Sequence, residues 1–167
     1  ADDGEDGPPN QATELLDAVL EITPELFRSQ DDEAYITLTD EGHNKTMPIH
    51  GPLFDAWLRK SALEVFRKVV GSTPIRDVQA TLKAMALTRG QRYSVNVRVA
   101  FEDEHIYIDL GDETYSVIEI DSAGWRTIGC PKEVKFRRPR GMLPLPEPQT
   151  GGDLNQLRRF VNVTDED

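Results

Sequence analysis

The stretch VNVRVAFEDEHIYIDLGDETYSVIEIDSAGWRTIG, residues 95–129, alternates apolar and polar residues with a period of two. In its first segment Val99 and Phe101 fall on the same side of an extended chain, as β-strand residues two apart do. The polar interruptions at residues 102–104 and 111–113 have the length and composition of hairpin connections. We therefore predict a meander of antiparallel strands over this part of the chain.

Upstream of the meander, the apolar residues recur at helical spacing. Residues 11–29 predict an amphipathic helix that Pro24 ends or interrupts. Residues 52–70 and 72–89 predict two further helices, bounded by glycines and each opened near a proline. On the first of these two, Trp57 lies on the apolar face.

A small hairpin is predicted between the first and second helices. Residues 35–38 alternate as a strand, and residues 45–49 return beside them. Pro48 cannot donate to a neighbouring strand, so this second strand belongs at the edge of a sheet. We also expect Trp125, which follows a turn into a strand, to be buried like Trp57.

Composition indicates one folded domain. The chain has 167 residues, 38% hydrophobic and 29% charged, and these are values of a globular protein. No apolar run is long enough to cross a bilayer, and Cys130 has no partner for an internal disulfide. We predict an α+β domain with a cytoplasmic location and no membrane contact.

Three regions follow from the distribution of acidic residues, glycine and proline. Residues 1–10 read as an acidic linker, residues 11–140 as the α+β domain, and residues 141–167 as a proline-rich arm and linker. Since both ends have the composition of linkers, we expect the chain to be a piece of a longer protein.

Charge is segregated along the chain. The formal net charge is -11, which argues against a protein that coats DNA by bulk charge. The segment KEVKFRRPR, residues 132–140, is nevertheless densely cationic. Its five cations are the predicted nucleic-acid-binding residues: Lys132, Lys135, Arg137, Arg138 and Arg140.

Two interpretations of this basic stretch stay open. In the first, Lys135, Arg137 and Arg140 contact the phosphates of single-stranded DNA. In the second, alternation buries Val134 and Phe136 and sends the cations to solvent, where they pair with nearby acidic strands. Because Arg137 and Arg138 cannot share one face of a regular strand, we expect one of them to form a structural ion pair with an acidic residue on a neighbouring strand.

No catalytic centre is visible in the sequence. The three histidines and the cysteine lack the spacing of a zinc site, and the acidic residues lack that of a calcium loop. Gly151 and Gly152 do not form a phosphate loop. We predict no metal, no cofactor and no enzymatic activity for this chain.

Longer motifs point to a family. These are IDLGD at residues 108–112, EIDSAGW at 119–125, FRRPRGMLPLPEP at 136–148, GGDLNQL at 151–157 and FVNV at 160–163. With them the chain resembles the region just before the P-loop ATPase domain in large primase–helicase-like replication proteins of phages and integrated mobile elements. Shorter matches extend the resemblance back to about residue 11, and it is strongest from Tyr107 onward.

The resemblance implies a cytoplasmic replication module without catalytic residues of its own. The parent protein would be a P-loop ATPase or helicase, with primase activity as a further option. We therefore expect a non-catalytic accessory module that contacts single-stranded DNA or couples to an adjoining ATPase domain. The alternative is a protein-interaction domain that does not contact DNA and docks through the arm at residues 143–148.

Overall fold

The computed structural model describes residues 10–40, 42–153, 155, 156 and 160. The described elements, in chain order, are α1 (Gln11–Glu21), β1 (Glu25–Ser29), β2 (Ala34–Asp40), β3 (His43–Pro48), α2 (Pro52–Phe66), α3 (Ser72–Arg89), β4 (Gln91–Tyr93), β5 (Val95–Asn96), β6 (Val99–Glu102), β7 (His105–Asp109), β8 (Ser116–Asp121), β9 (Gly124–Gly129) and β10 (Lys135–Phe136). Helices and mixed sheets with an antiparallel meander confirm the α+β class.

Some sequence predictions concern residues outside this description. The acidic linker at residues 1–10 does so except for Asn10, and so does Glu41 of the hairpin connection. Part of the motif at residues 151–157, and most of the motif at residues 160–163, also fall there.

The first helix is shorter than predicted. Asn10 caps α1, and its side chain accepts a hydrogen bond of 3.0 Å from the Thr13 N–H. The helix ends at Glu21, just before Pro24, so the alternative that the proline ends it is the right one, and residues 25–29 form the strand β1 instead of continuing the helix. This segment is a strand because β1 pairs antiparallel with β2 and parallel with β4, contacts that helical periodicity cannot reveal.

The first sheet has the strand order β3-β2-β1-β4. The predicted hairpin of β2 and β3 is confirmed, with Pro48 in the edge strand β3. The three helices pack on one face of this sheet, where Ile36, Phe54 and Leu82 are fully buried in one core. Phe27 and Tyr35 stack on the opposite face.

The second and third helices differ in how well their boundaries were predicted. Helix α3 lies between Gly71 and Gly90, as predicted. Helix α2 begins at Pro52 but ends at Phe66, four residues early, because Arg67 adopts a left-handed conformation with φ of 53°. Val69, which falls within the predicted helix, is therefore exposed in the connection between α2 and α3.

A second, four-stranded sheet contains the predicted meander, with the order β6-β7-β8-β9 and antiparallel pairing throughout. The strand predicted from residue 95 to residue 101 is broken, because Arg98 has a φ of 70°. Its first part, β5, instead pairs in parallel with β10. We call the second sheet the meander sheet.

Strand β10 joins the two sheets. Val134 and Phe136 pack with Ala100, Tyr107 and Val117 of the meander sheet. Between them, Lys135 points the other way. Its ammonium lies over the rings of Phe27 and Tyr93, on the face of the first sheet that is opposite the helices. Successive side chains of this segment do alternate between two sides, as predicted, but the side chains on both sides are buried.

Both tryptophans are less buried than predicted. Trp57 is half-buried, with its ring stacked on Phe54 at a centroid distance of 5.6 Å. Trp125 is 43% exposed, so its predicted burial is wrong. It lies on β9, on the side of the meander sheet that faces away from the rest of the molecule.

The proline-rich arm begins at the end of the meander sheet. The Leu145 N–H donates to the Leu110 carbonyl at 2.7 Å, and the Arg98 guanidinium donates to the Leu143 carbonyl at 2.7 Å. The side chains of both leucines remain exposed. None of the described helices is long and apolar enough to cross a membrane.

Candidate functional site

Lys135 is not available to a nucleic acid. Its side chain is 1% exposed, and its ammonium lies 2.5 Å from the Glu25 carboxylate. It also donates to the Lys132 carbonyl and sits over the rings of Phe27 and Tyr93, 5.3 and 4.8 Å from their centroids. This burial corrects both interpretations of the basic stretch, since each required an exposed Lys135.

Arg138 forms the structural ion pair expected of one of the two adjacent arginines. Two of its nitrogens donate to the two carboxylate oxygens of Asp109 on β7, at 2.6 and 3.0 Å. The guanidinium stacks on the Tyr115 ring at 3.9 Å and donates to the Asp112 carbonyl. Because Asp109 is almost fully buried, this bidentate pair satisfies a carboxylate that would otherwise be costly to bury.

Three cations of the basic stretch remain on the surface. Lys132, Arg137 and Arg140 are exposed, and none of them forms an ion pair with a residue of the described parts of the chain. These three side chains are the part of the predicted nucleic-acid site that a phosphate backbone could reach.

Lys132 faces a polar cavity of about 290 Å³ between the first sheet and the segment before β10. Threonine hydroxyls, the Asn44 amide and the Tyr93 phenol line it, together with the carboxylates of Glu25 and Glu133. Two carboxylates beside one lysine oppose a phosphate group, so this cavity does not extend the cationic surface.

Two features of the described side chains bear on metal binding and on nucleophilic chemistry. They contain no group of three or more histidine, cysteine or acidic residues that could hold a metal ion. Burial raises the pKa of the half-buried Cys130 thiol from 9.0 to about 11, which keeps it protonated and a poor nucleophile at neutral pH.

The meander sheet has two faces of opposite character. Residues paired directly across antiparallel strands share a face. Two rows of such residues cross all four strands on the outward side: Phe101, Ile106, Ile120 and Trp125 form one row, and Val99, Ile108, Ile118 and Thr127 form the other. We call these eight residues the uncharged face, because it contains no acidic, basic or histidine side chain.

The charged residues of the four strands all lie on the other face: Glu102, His105, Asp109, Glu119, Asp121 and Arg126. All of them except Glu102 form side-chain hydrogen bonds or ion pairs among the described residues. The Tyr107 hydroxyl donates to Glu119 at 2.9 Å, and Arg126 bridges Glu119 and Asp121. Burial raises the pKa of Tyr107 to about 12. This face also carries Ala100, Tyr107 and Val117, which pack on Val134 and Phe136, so it faces the molecule and the uncharged face meets solvent.

Exposure on the uncharged face is substantial. Phe101 is 71% exposed and Val99 53%, and Ile106 and Trp125 are also exposed. Single exposed apolar residues are common on protein surfaces, whereas contiguous groups of them across several strands are typical of interaction sites.

Sequence reasoning missed the uncharged face, although a signal was present. All charges of β6–β9 fall on one parity of the alternation, which leaves the other parity apolar. Periodicity shows which residues share a face but not which face meets solvent.

Comparisons with known proteins give no assignment: no protein-family model, curated protein or solved structure matches this chain.

Proposed function

We propose that this chain is a non-catalytic protein-docking module that binds a protein partner through the uncharged face of its meander sheet. The resemblance to the region before the ATPase of primase–helicase-like replication proteins supplies the setting. In that setting the module serves as an accessory to the parent ATPase, and the adjoining ATPase domain is one partner it could dock.

The observation that carries this proposal is the exposed uncharged face itself. The isoleucine, valine and aromatic side chains of this face are in contact with water. Each Å² of apolar surface exposed to water costs about 25 cal/mol of free energy compared with the same surface buried. Covering this face with another protein recovers that free energy without leaving any charge unpaired, because all charges of these strands lie on the opposite side.

Footprinting tests the docking function. We expect hydroxyl radicals to label Phe101 and Trp125 readily in the dilute isolated chain, and at least fivefold more slowly in the longer protein that the resemblance implies. Leu53, exposed on α2 away from this face, is the internal reference and should react equally in both. Unchanged labelling of Phe101 and Trp125 in the longer protein at about 300 µM, where a weak contact would also be occupied, would rule out docking through this face.

Single-stranded DNA contact is the second candidate function. The exposed, unpaired state of Lys132, Arg137 and Arg140 favours it, while the burial of Lys135 and the pairing of Arg138 weaken it. Three phosphate contacts would make the logarithm of affinity fall with the logarithm of salt concentration with a slope of about -2.

The DNA candidate has its own experiment. Fluorescence anisotropy of a labelled oligothymidine at several salt concentrations would compare the wild type with a Lys132→Ala, Arg137→Ala, Arg140→Ala triple variant. The docking proposal expects weak binding that the triple variant barely changes. Tight binding that is lost in the triple variant and kept in Phe101→Glu would make DNA contact the primary function.

A further inference from the structure

The width of the uncharged face limits what can cover it. Neighbouring strands lie about 4.8 Å apart, so the side-chain columns of the outer strands β6 and β9 are separated by roughly 14 Å. A single α-helix is about 10 Å across with its side chains. One helix would leave an outer column in water, whereas a second four-stranded sheet would cover all four columns.

We infer that the occupant of this face is a second copy of this chain, packed sheet against sheet as a two-fold symmetric dimer. The inference rests on the proposed docking function and names its partner. Two copies of one sheet carry the same twist, so they can pack aligned, within about 30°, without distortion of either.

The two rows of the face are complementary in size. In this dimer each strand of one copy lies over the same strand of the other copy and runs in the opposite direction. The first row of one copy then packs on the second row of the other. Phe101 then lies over Val99, and Trp125 lies over Thr127. Large side chains opposite small ones allow the two layers to interdigitate.

The same arrangement brings acidic residues together at both ends of the contact. The β6–β7 turn, which contains Asp103 and Glu104, lies at the end of the sheet next to the first row. The β7–β8 connection, which contains Asp112 and Glu113, lies at the other end, so opposed strands put the turn of one copy beside the connection of the other, where they repel. The acidic residues of the strands themselves point away from the contact.

The area indicates a weak, reversible dimer. The exposed parts of the eight side chains amount to on the order of 500 Å² per copy, so the dimer would bury about 1,000 Å² in total, the lower end for specific interfaces. A dissociation constant on the order of tens of micromolar fits such a contact.

Salt gives this dimer a distinctive response. Each copy carries a net charge of -11, so two copies repel. Salt shortens the screening length, from about 10 Å at 0.1 M to about 3 Å at 1 M, and leaves the apolar contact intact. Dimerisation should therefore strengthen with salt, the opposite of DNA binding.

Sedimentation equilibrium between about 1 and 300 µM, at low and high salt, tests the inference. We expect a monomer–dimer equilibrium that tightens with salt. Phe101→Glu and Thr127→Glu, two exposed positions on different rows, should each weaken it at least tenfold. Val69→Glu, at a 91% exposed position on the helical side, is the control and should leave it unchanged.

Circular dichroism confirms that each variant is folded before its result is used. A wild type that stays monomeric over the whole range overturns the inference. A dimer that tolerates both face variants overturns it as well, since the contact then lies elsewhere. If the chain is monomeric while the footprint of the longer protein still shows protection, the docking function stands and only the identity of the partner is wrong.

Discussion

At the residue scale, Lys135 connects β10 to the first sheet through its contacts with Glu25, Phe27 and Tyr93. It is a buried cation held by one carboxylate, one carbonyl and two aromatic rings. Its partner Glu25 is about one-third exposed, so water can solvate that carboxylate when the lysine is removed. Truncation therefore costs less than breaking a fully buried pair.

Lys135→Ala should lower the free energy of unfolding by about 2–4 kcal/mol, through the lost ion pair and the lost packing of its aliphatic stem. Urea denaturation followed by circular dichroism measures the change. Lys132→Ala, three residues away and exposed, is the matched control and should stay within about 0.5 kcal/mol of the wild type. Equal effects of the two variants would contradict the burial of Lys135. Because Lys135 is buried, we also expect a variant with alanine at Lys135, Arg137 and Arg140 to lose stability, although all three residues were predicted at the surface.

Cys130 offers a second test at this scale. With its pKa raised to about 11, its thiolate fraction at pH 8 should be roughly 100-fold below that of an ordinary thiol. The reaction with a disulfide reagent at pH 8 should accelerate by about that factor in 6 M guanidinium chloride. A folded-state rate similar to that of the unfolded chain would show that the thiol is not shielded. The raised pKa also means that this group's contribution to stability is fully present below pH 9 and is lost as the pH rises through 11.

At the scale of single elements, α2 has one fully buried aromatic residue and one half-buried one. Phe54 is fully buried, and Trp57 packs over it from the solvent side. We expect Phe54→Ala to cost about 3–5 kcal/mol and Trp57→Ala about 1–3 kcal/mol. Because Trp57 is half-buried, the expected loss of unfolding free energy is smaller than the roughly 3–5 kcal/mol of a fully packed tryptophan. Urea denaturation of both variants gives the comparison, and a larger loss for Trp57 than for Phe54 would refute this order.

The end of α2 provides a stabilising substitution. Arg67 occupies the left-handed conformation at the end of the helix, where a side chain is strained and glycine is not. Arg67→Gly should raise the free energy of unfolding by about 0.5–1 kcal/mol, because relief of strain exceeds the extra entropy of the unfolded chain. Thermal denaturation measures it. Lys60→Gly, inside the same helix, is the control and should instead lose about 1 kcal/mol.

At the scale of the whole molecule, β10 pairs with β5 and packs against both four-stranded sheets. The Asn44 side chain also donates to the Cys130 carbonyl at 2.9 Å, across the junction between the two sheets. These links predict that the helical layer and the meander sheet unfold together.

A Trp57→Phe variant makes this joint unfolding measurable, since its fluorescence then reports only Trp125 on the meander sheet. Circular dichroism at 222 nm reports the helices of the same sample. We expect the two urea midpoints to coincide within about 0.2 M. Separate midpoints would show that the two sheets are independent folding units.

Much of the local structure followed from sequence. The limits of α3, the hairpin with Pro48 at its edge, and the antiparallel meander all derive from periodicity and from glycine and proline. These signals act within a few residues, so a single sequence contains them. The structural ion pair of one of the adjacent arginines was also predictable, because neighbouring residues of a strand point to opposite faces.

The tertiary structure alone decided which faces are buried. Lys135 is buried because one face of the first sheet, the one opposite the helices, packs against its side of β10. Glu25, Phe27 and Tyr93 on that face contact the Lys135 side chain. Phe101 and Trp125 are outside because the opposite face of the meander sheet packs on Val134 and Phe136 and pairs its Asp109 with Arg138. Alternation sorts side chains into two sets, but burial depends on what packs against each set, and those residues lie far away in the sequence.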